Sequence, residues 1–270
     1  MKKTILGITV AIVVIALATI VILFSTKEKK NLNSLEYVKE KGQFVLGLDD
    51  SFPPMGFRNE NNEIVGFDID VATEVCKRLG VKLKLQPISW AAKVQELDSK
   101  NIDCIWNGMS VDEERKQAMN LSESYMENAM VLVVLKSSDN KTLDSLRDKK
   151  IGVQTGSTAQ KILEQSDFYK EIKEVVGYTE NITAFMDLEI GQIEAVYVDE
   201  VVANYYISSQ NKDYVVLEEK MEKEEYAIGF RKNDNELRDE VQRILEEMKQ
   251  DGALEEISTK WFGKDVTIVK

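Results

Sequence analysis

The chain has 270 residues, 43% hydrophobic and 30% charged, and the roughly 240 beyond an atypical N-terminus suffice for two domains of ordinary size. Its net charge of −12, from 47 acidic and 35 basic residues, excludes the basic stripe that nucleic acid would need. There is no histidine, so the commonest general base and a common metal ligand are missing, and nothing in the residues calls for a metal or cofactor. The two cysteines, Cys76 and Cys104, fall short of a disulfide scaffold. Two buried free thiols are the plainer reading, and one bond in an exported chain is the alternative.

Lys2 and Lys3 precede an uncharged run from Thr4 to Thr26, almost wholly apolar between Ile5 and Phe24. A charged start followed by an apolar stretch is an export signal. The run is long enough to span a bilayer and longer than a usual signal core. Its exit, Ile22-Leu23-Phe24-Ser25-Thr26, offers neither a small-x-small cleavage site nor a cysteine for lipid. Residues 1–30 are therefore set apart as a signal or membrane anchor, with an uncleaved anchor favoured over a removed signal. The remainder is expected outside the cytoplasm.

Leu35 to Lys41 reads as a short helix before a strand at Phe44–Leu48. Val71, Ala72, Val75, Cys76 and Leu79 form the apolar stripe of a helix over Ile69–Leu79, which Gly80 ends. Val81, Leu83 and Leu85 alternate with polar residues and predict a half-buried strand. A helix near Ala91–Ser99 leads to a strand at Ile102–Trp106. The continuous apolar run Ala129–Leu135 predicts a strand buried on both faces. The pattern then restarts with strands at Lys150–Val153, Val175–Tyr178, Ala195–Val198 and Tyr214–Leu217. Helices are expected at Thr158–Gln165, Asn181–Ile190 and Glu200–Ser208. Glu218–Glu225 is charge-rich and reads as a solvated loop. Tyr226–Arg231 reads as one more strand, and two helices, about 234–250 and 252–260, finish the chain.

Strand–helix alternation in two sets predicts an α/β protein with two mainly parallel sheets, helices covering both faces. Extended crossings at Glu127–Lys136 and near Glu224–Ala227 would join them as a hinge. Residues 31–130 with 227–270 then form the first lobe, and 131–226 the second.

Ligands bind beyond the carboxyl ends of parallel strands. Those points carry Asp49 and Phe52, then Asn107, Gly108, Ser110 and Arg115, then Gln154, Gly156, Ser157 and Thr158, and finally Asp199. Two ends belong to each expected lobe, so the groups would meet across a cleft. Arg115 suits an α-carboxylate, which it grips with parallel N–H bonds. Gly156, Ser157 and Thr158 open a helix and add backbone donors for an anion. Asp199 suits an α-ammonium. Phe52 and Trp90 could flank a side chain, and Asp49 could accept from it. Each has a plainer alternative: Arg115 an ion pair at a helix start, Ser157 and Asp199 helix caps, Asp49 a loop tie, and Phe52 and Trp90 core.

Gly66-Phe67-Asp68-Ile69-Asp70-Val71 resembles the signature of the family 3 extracellular solute-binding proteins. These serve polar amino acid ABC importers and include glutamine-, histidine- and lysine/arginine/ornithine-binding members. Similar stretches follow in the family's order between about residues 36 and 263: Asp49–Phe57, Asn107–Arg115, Val153–Thr158, Ala195–Asp199 and Ala227–Lys232. The resemblance implies a two-lobed type II periplasmic-binding-protein fold. It also implies roles: Arg115, Ser110 and Thr158 on the ligand carboxylate, Asp199 and the Gly108 carbonyl on its ammonium. Asp49, Phe52 and Trp90 would surround the side chain, and Gln154 would vary with specificity. Asn107 departs from the small residue common in relatives and offers an amide there. The absence of a lipidation cysteine departs from Gram-positive relatives. The implied function is non-enzymatic capture of a free polar amino acid for ABC permease subunits, by a monomer tethered through its N-terminal helix. A membrane-tethered sensory domain and a small-carboxylate dehydratase are the alternatives on the same scaffold.

Overall fold

The computed structural model describes residues 32–219 and 222–270; the expected anchor, residues 1–30, lies outside them. Among the described residues, no helix is long and apolar enough to cross a membrane.

Helix α1 (Ser34–Lys41) leads into strand β1 (Gln43–Leu48). A small antiparallel sheet follows, made of β2 (Ser51–Phe52), β3 (Gly56–Arg58) and β4 (Ile64–Val65). Helix α2 (Phe67–Leu79) buries the expected stripe, including Val71, Ala72, Val75, Cys76 and Leu79. Then come β5 (Lys82–Pro87), a 3-10 turn at Trp90–Ala92 running into α3 (Lys93–Asp98), β6 (Cys104–Ile105), α4 (Glu113–Ala118) and β7 (Asn120–Leu121). The first main sheet has the order β5-β1-β6-β14-β7, where β14 is Gly229–Phe230.

The second sheet starts from β8 (Met126–Leu135). It adds β9 (Lys150–Gln154), α5 (Thr158–Gln165), β10 (Glu174–Tyr178), α6 (Asn181–Glu189), β11 (Ala195–Asp199), α7 (Glu200–Ser208), β12 (Tyr214–Val216) and β13 (Glu222–Tyr226). Its order is β10-β9-β11-β8-β12, with β13 also paired to β8. Helices α8 (Asn235–Gln250) and α9 (Ala253–Phe262) close the chain, and α8 packs on α1 and α2 beside the first sheet.

Side chains alternate across a strand, so burial on both faces requires unbroken apolar runs. In β1, Phe44, Leu46 and Leu48 enter one core while Val45 enters another. In β8, Val131 and Val133 enter the first core, whereas Met130, Leu132 and Val134 enter a third on the far face of the second sheet. The first core is continuous from β1 and α2, through Tyr125, Met126 and Tyr226, to β8 and β11.

Each sheet is parallel over its first three strands, β5-β1-β6 and β10-β9-β11, where strand–helix–strand units build it. Beyond them the pairing is antiparallel, because β8, β13 and β14 belong to the segments that leave one lobe and return. The two crossings are ladder partners, with Met126 opposite Tyr226 and Asn128 opposite Glu224.

Two expectations change. Tyr226–Arg231 is not one strand: β13 ends at Tyr226 in the second sheet and β14 begins at Gly229 in the first. Between them Ala227 and Ile228 are fully buried, their N–H groups held by the Met109 carbonyl and Ser122 Oγ, both at 2.9 Å. Nor is Glu218–Glu225 a loop throughout, since β13 starts at Glu222. Lys223 and Glu225 are exposed and Glu224 between them is half-buried, so period-two burial hides in a run that is charged on both faces. Cys76 and Cys104 are free and buried, and burial pushes the Cys76 thiol up to about 12.

Candidate functional site

The motif Gly66-Phe67-Asp68 sets the floor of the site. Gly66 has φ 149°, and a side chain there would drive Cβ to 2.2 Å from the Met55 carbonyl oxygen. That close approach lets Phe67 and Asp68 donate their N–H groups to the carbonyls of Pro54 and Met55 at 2.8 and 3.0 Å. Asp68 is fully buried at the start of α2, and its Oδ2 accepts the Gly108 N–H at 2.7 Å and the Tyr125 hydroxyl at 3.0 Å. Burial raises this carboxyl to about 7. The sequence reading placed Asp68 in a motif but not at the site; its role is to hold the Asn107–Ser110 loop.

All ten residues proposed from the sequence line one cavity: Asp49, Phe52, Trp90, Asn107, Gly108, Ser110, Arg115, Gln154, Thr158 and Asp199. Met130 and Ser157 complete the wall. Asp49 follows β1, Asn107 to Ser110 follow β6, Gln154 ends β9, Thr158 opens α5, and Asp199 ends β11. The strand ends of the two sheets therefore face each other across this cavity.

On the cavity wall, Arg115 on α4 is 7% exposed. Its Nη1 donates to the Ser110 carbonyl at 2.6 Å, and Nε lies 3.8 Å from Asp112. A guanidinium has five donors, so several remain to face the cavity. Burial pulls the Arg115 pKa down, opposed first by the charge of Asp112. Asp112 also caps α4 by accepting the Arg115 N–H at 2.8 Å. Arg115 thus combines the ion pair at a helix start, its plainer reading, with a place on the cavity wall. Beside it, Thr158 Oγ1 is buried with no hydrogen-bond partner among the described residues. Ser157 caps α5 by accepting the Gln160 N–H at 3.1 Å.

Asp199, also on the wall, is 6% exposed and makes no side-chain cap bond to α7, although it stands at the cap position. Its Oδ1 accepts from Asn128 Nδ2 at 2.9 Å and from the Tyr226 hydroxyl at 2.5 Å. Burial raises its pKa, against the Tyr226 hydrogen bond. The same Asn128 Nδ2 donates to Glu224 Oε1 at 2.6 Å. Glu224 is a residue the sequence reading missed. Its one available signal is its position opposite Asn128 in a strand that the charge run disguised.

The middle of the cavity is polar and aromatic. Asp49 Oδ1 accepts from the Ser51 N–H and hydroxyl at 3.0 and 2.7 Å, which is the loop tie expected as its plainer role. Its Oδ2 also accepts from Gln154 Nε2, across the cleft, at 2.5 Å. Burial raises the Asp49 pKa despite these bonds. Asn107 Oδ1 accepts the Asp49 N–H at 3.0 Å, while its Nδ2 is buried without a partner among the described residues. Phe52 and Trp90 belong to hydrophobic cores and to the cavity wall together.

The two sides touch closely. Lys93 Nζ donates to the Trp90 and Gly156 carbonyls, both at 3.0 Å, and lies 4.9 Å from the Trp90 ring centre. Gly156 has φ +74°, and a Cβ there would lie 2.9 Å from Ala91 Cα. Only glycine suits both the left-handed backbone and the contact. Among the described residues, no cluster of acidic groups and cysteines is arranged to hold a metal.

Against known proteins, residues 44–264 match the model of the bacterial extracellular solute-binding proteins, family 3. The L-cystine-binding protein TcyJ of Escherichia coli (strain K12) is 32% identical over 245 residues, 90% of this chain and 91% of that one. The histidine-binding periplasmic protein of the same strain is 34% identical over 229 residues, covering 82% and 88%. Among solved structures, an ABC uptake transporter substrate-binding protein from Streptococcus pneumoniae with bound histidine superposes with a TM-score of 0.84 at 35% identity, over 87% of this chain and 98% of that one.

Proposed function

Because the chain belongs to the bacterial extracellular solute-binding proteins of family 3, we propose that it captures a free polar amino acid for an ABC importer, without turnover, by closing two lobes around it. One observation carries this reading. A buried arginine and a buried aspartate, Arg115 and Asp199, line the same cavity. That pair fits a zwitterion: Arg115 takes the carboxylate with Thr158 Oγ1 beside it, and Asp199 takes the ammonium. Asn107 Nδ2 and Thr158 Oγ1 are buried polar atoms awaiting partners among the described residues, which supports a polar ligand over an apolar one. Asp49, Gln154 and Asn107 form a polar surround for the side chain and select against purely aliphatic amino acids.

The lobes in this reading are residues 31–130 with 227–270, and 131–226. The amino acid meets Arg115, Phe52 and Trp90 first, and closure adds Thr158, Gln154 and Asp199. Contacts made only on closure shift the population toward the closed form. Association with permease subunits as a monomer completes the proposal.

The test is titration calorimetry against the free amino acids, L-cystine included, after a thermal-shift screen. Removing one partner of a buried charge pair costs about 2–5 kcal/mol, so Arg115→Ala and Asp199→Ala should each weaken binding at least about thirtyfold. Near-normal affinity in either variant, with the fold intact, would sink the assignment.

A further inference from the structure

Asp199 does not stand alone on the cavity wall. Glu224, one strand away on β13, lies within hydrogen-bond reach of it, and a single amide nitrogen, Asn128 Nδ2, donates to both carboxylates at 2.9 and 2.6 Å. Glu224 Oε2 is buried and receives no hydrogen bond among the described residues. Asp199 is buried and Glu224 half-buried, and carboxylates this close repel unless a proton or a cation lies between them.

The charged and titratable surroundings are few. From β8 the near neighbour is Asn128, and Glu127 lies opposite the exposed Glu225. From the loop after β6 it is Ser110, and from α4 the Arg115 guanidinium, whose charge acts on both acids and is itself shared with Asp112 and Glu114. From β13 itself it is the Tyr226 hydroxyl, already donated to Asp199, and Lys223 is exposed. One arginine against two acids leaves a net negative site that one proton would neutralise. Burial drives both acids up, and Glu224, driven up to about 9, is raised further by the charge of Asp199.

We propose that Glu224 is a positioning residue for the ligand ammonium: it shares one proton with Asp199, and the arriving ammonium displaces that proton to solvent. This rests on the amino acid reading above. The balance is simple. The O–H bond of the shared carboxylic acid breaks, its proton passes to buffer, and the pair goes from one negative charge to two as a positive charge arrives. The second carboxylate both orients Asp199 through Asn128 and keeps the site from holding an uncompensated double charge before capture. An uncharged analogue lacking the ammonium would leave the proton in place.

Two measurements on the full-length chain in detergent test this. The first needs no ligand: carbon-13 NMR titration of labelled Asp and Glu carboxyls, assigned with Glu224→Gln. One glutamate should titrate well above the ordinary carboxylate range and vanish in the variant. Glu224 titrating in the ordinary range would overturn the proposal. The second is calorimetry at neutral pH with L-histidine, L-arginine and L-cystine in two buffers of different ionisation enthalpy. A bound amino acid should release about one proton per site in wild type, and the weaker binding of Glu224→Gln should release almost none. Binding without proton release in wild type overturns the proposal. If none of the three probes binds, the amino acid reading fails for these probes, and the ligand-free titration still decides whether the pair shares a proton.

Discussion

Lys93 is a buried ammonium with a second cation, Arg115, close by. Burial first, and the charge of Arg115 second, lower its pKa to about 7 from 10.5. Its hydrogen bonds go to two carbonyls, Trp90 and Gly156, which compensate the charge only in part. The unfolded chain thus binds a proton at Lys93 up to about pH 10, and the folded chain gives it up near 7. Between those values the unfolded state holds more protons, so stability rises with pH across that window, by up to about 1.4 kcal/mol per unit. Below about 7 both states are protonated and the full penalty is present. Thermal unfolding of wild type and Lys93→Met at several pH values checks this. Wild type should gain on the variant as pH rises from 7 to 10. A constant difference across that window would mean that Lys93 keeps an ordinary pKa.

The proposed closure would also have a support outside the cavity. Phe57 on β3 packs edge-on against Tyr205 on α7, with ring centres 5.1 Å apart, and against Trp261 on α9 at 6.0 Å. The small sheet packs on α2, and α7 packs on β8 and β11, so in the proposed two-lobe motion the Phe57–Tyr205 contact forms only when the lobes meet. An aromatic pair adds about 0.5–1.5 kcal/mol beyond its buried area. Tyr205→Ala should weaken amino acid binding about fivefold without touching the ligand, mainly through faster dissociation, as stopped-flow release would show. Unchanged release kinetics would mean that the contact does not favour closure. No sequence pattern announced this contact. Strands β2, β3 and β4 have only two or three residues each, too short for a periodic signal. By contrast, α5 and α7 were readable to the residue, because a polar strand end, a cap position and an apolar stripe coincide there. The ten cavity residues were readable because strand-end position is a topological property that local patterns reveal. Glu224 was not, because its meaning depends on a ladder partner, Asn128, 96 residues away. The crossing near Glu224–Ala227 was legible, but the break of Tyr226–Arg231 into two strands at Ala227–Ile228 was not, because nothing local marks where a strand changes partners.

For the whole molecule, one hydrophobic cluster runs from α8 and β1 through the crossing strands into α6 and β11. Outer cores flank each sheet separately. A shared inner core ties the stability of the lobes together, although each sheet is complete in itself. Residues 34–270 accordingly group as a single compact unit rather than two. The cavity lies where both sheets present their strand ends, so a ligand there adds to the same coupling. Calorimetric unfolding should then show one transition whose midpoint rises with ligand. An amino acid at a hundred times its Kd contributes about 2.7 kcal/mol, which for about 240 residues is a rise of roughly 5–10 °C. Arg115→Ala should show the same single transition without the rise. Two transitions, only one of them moved by ligand, would mean that the lobes unfold independently and that the continuous inner core does not couple them.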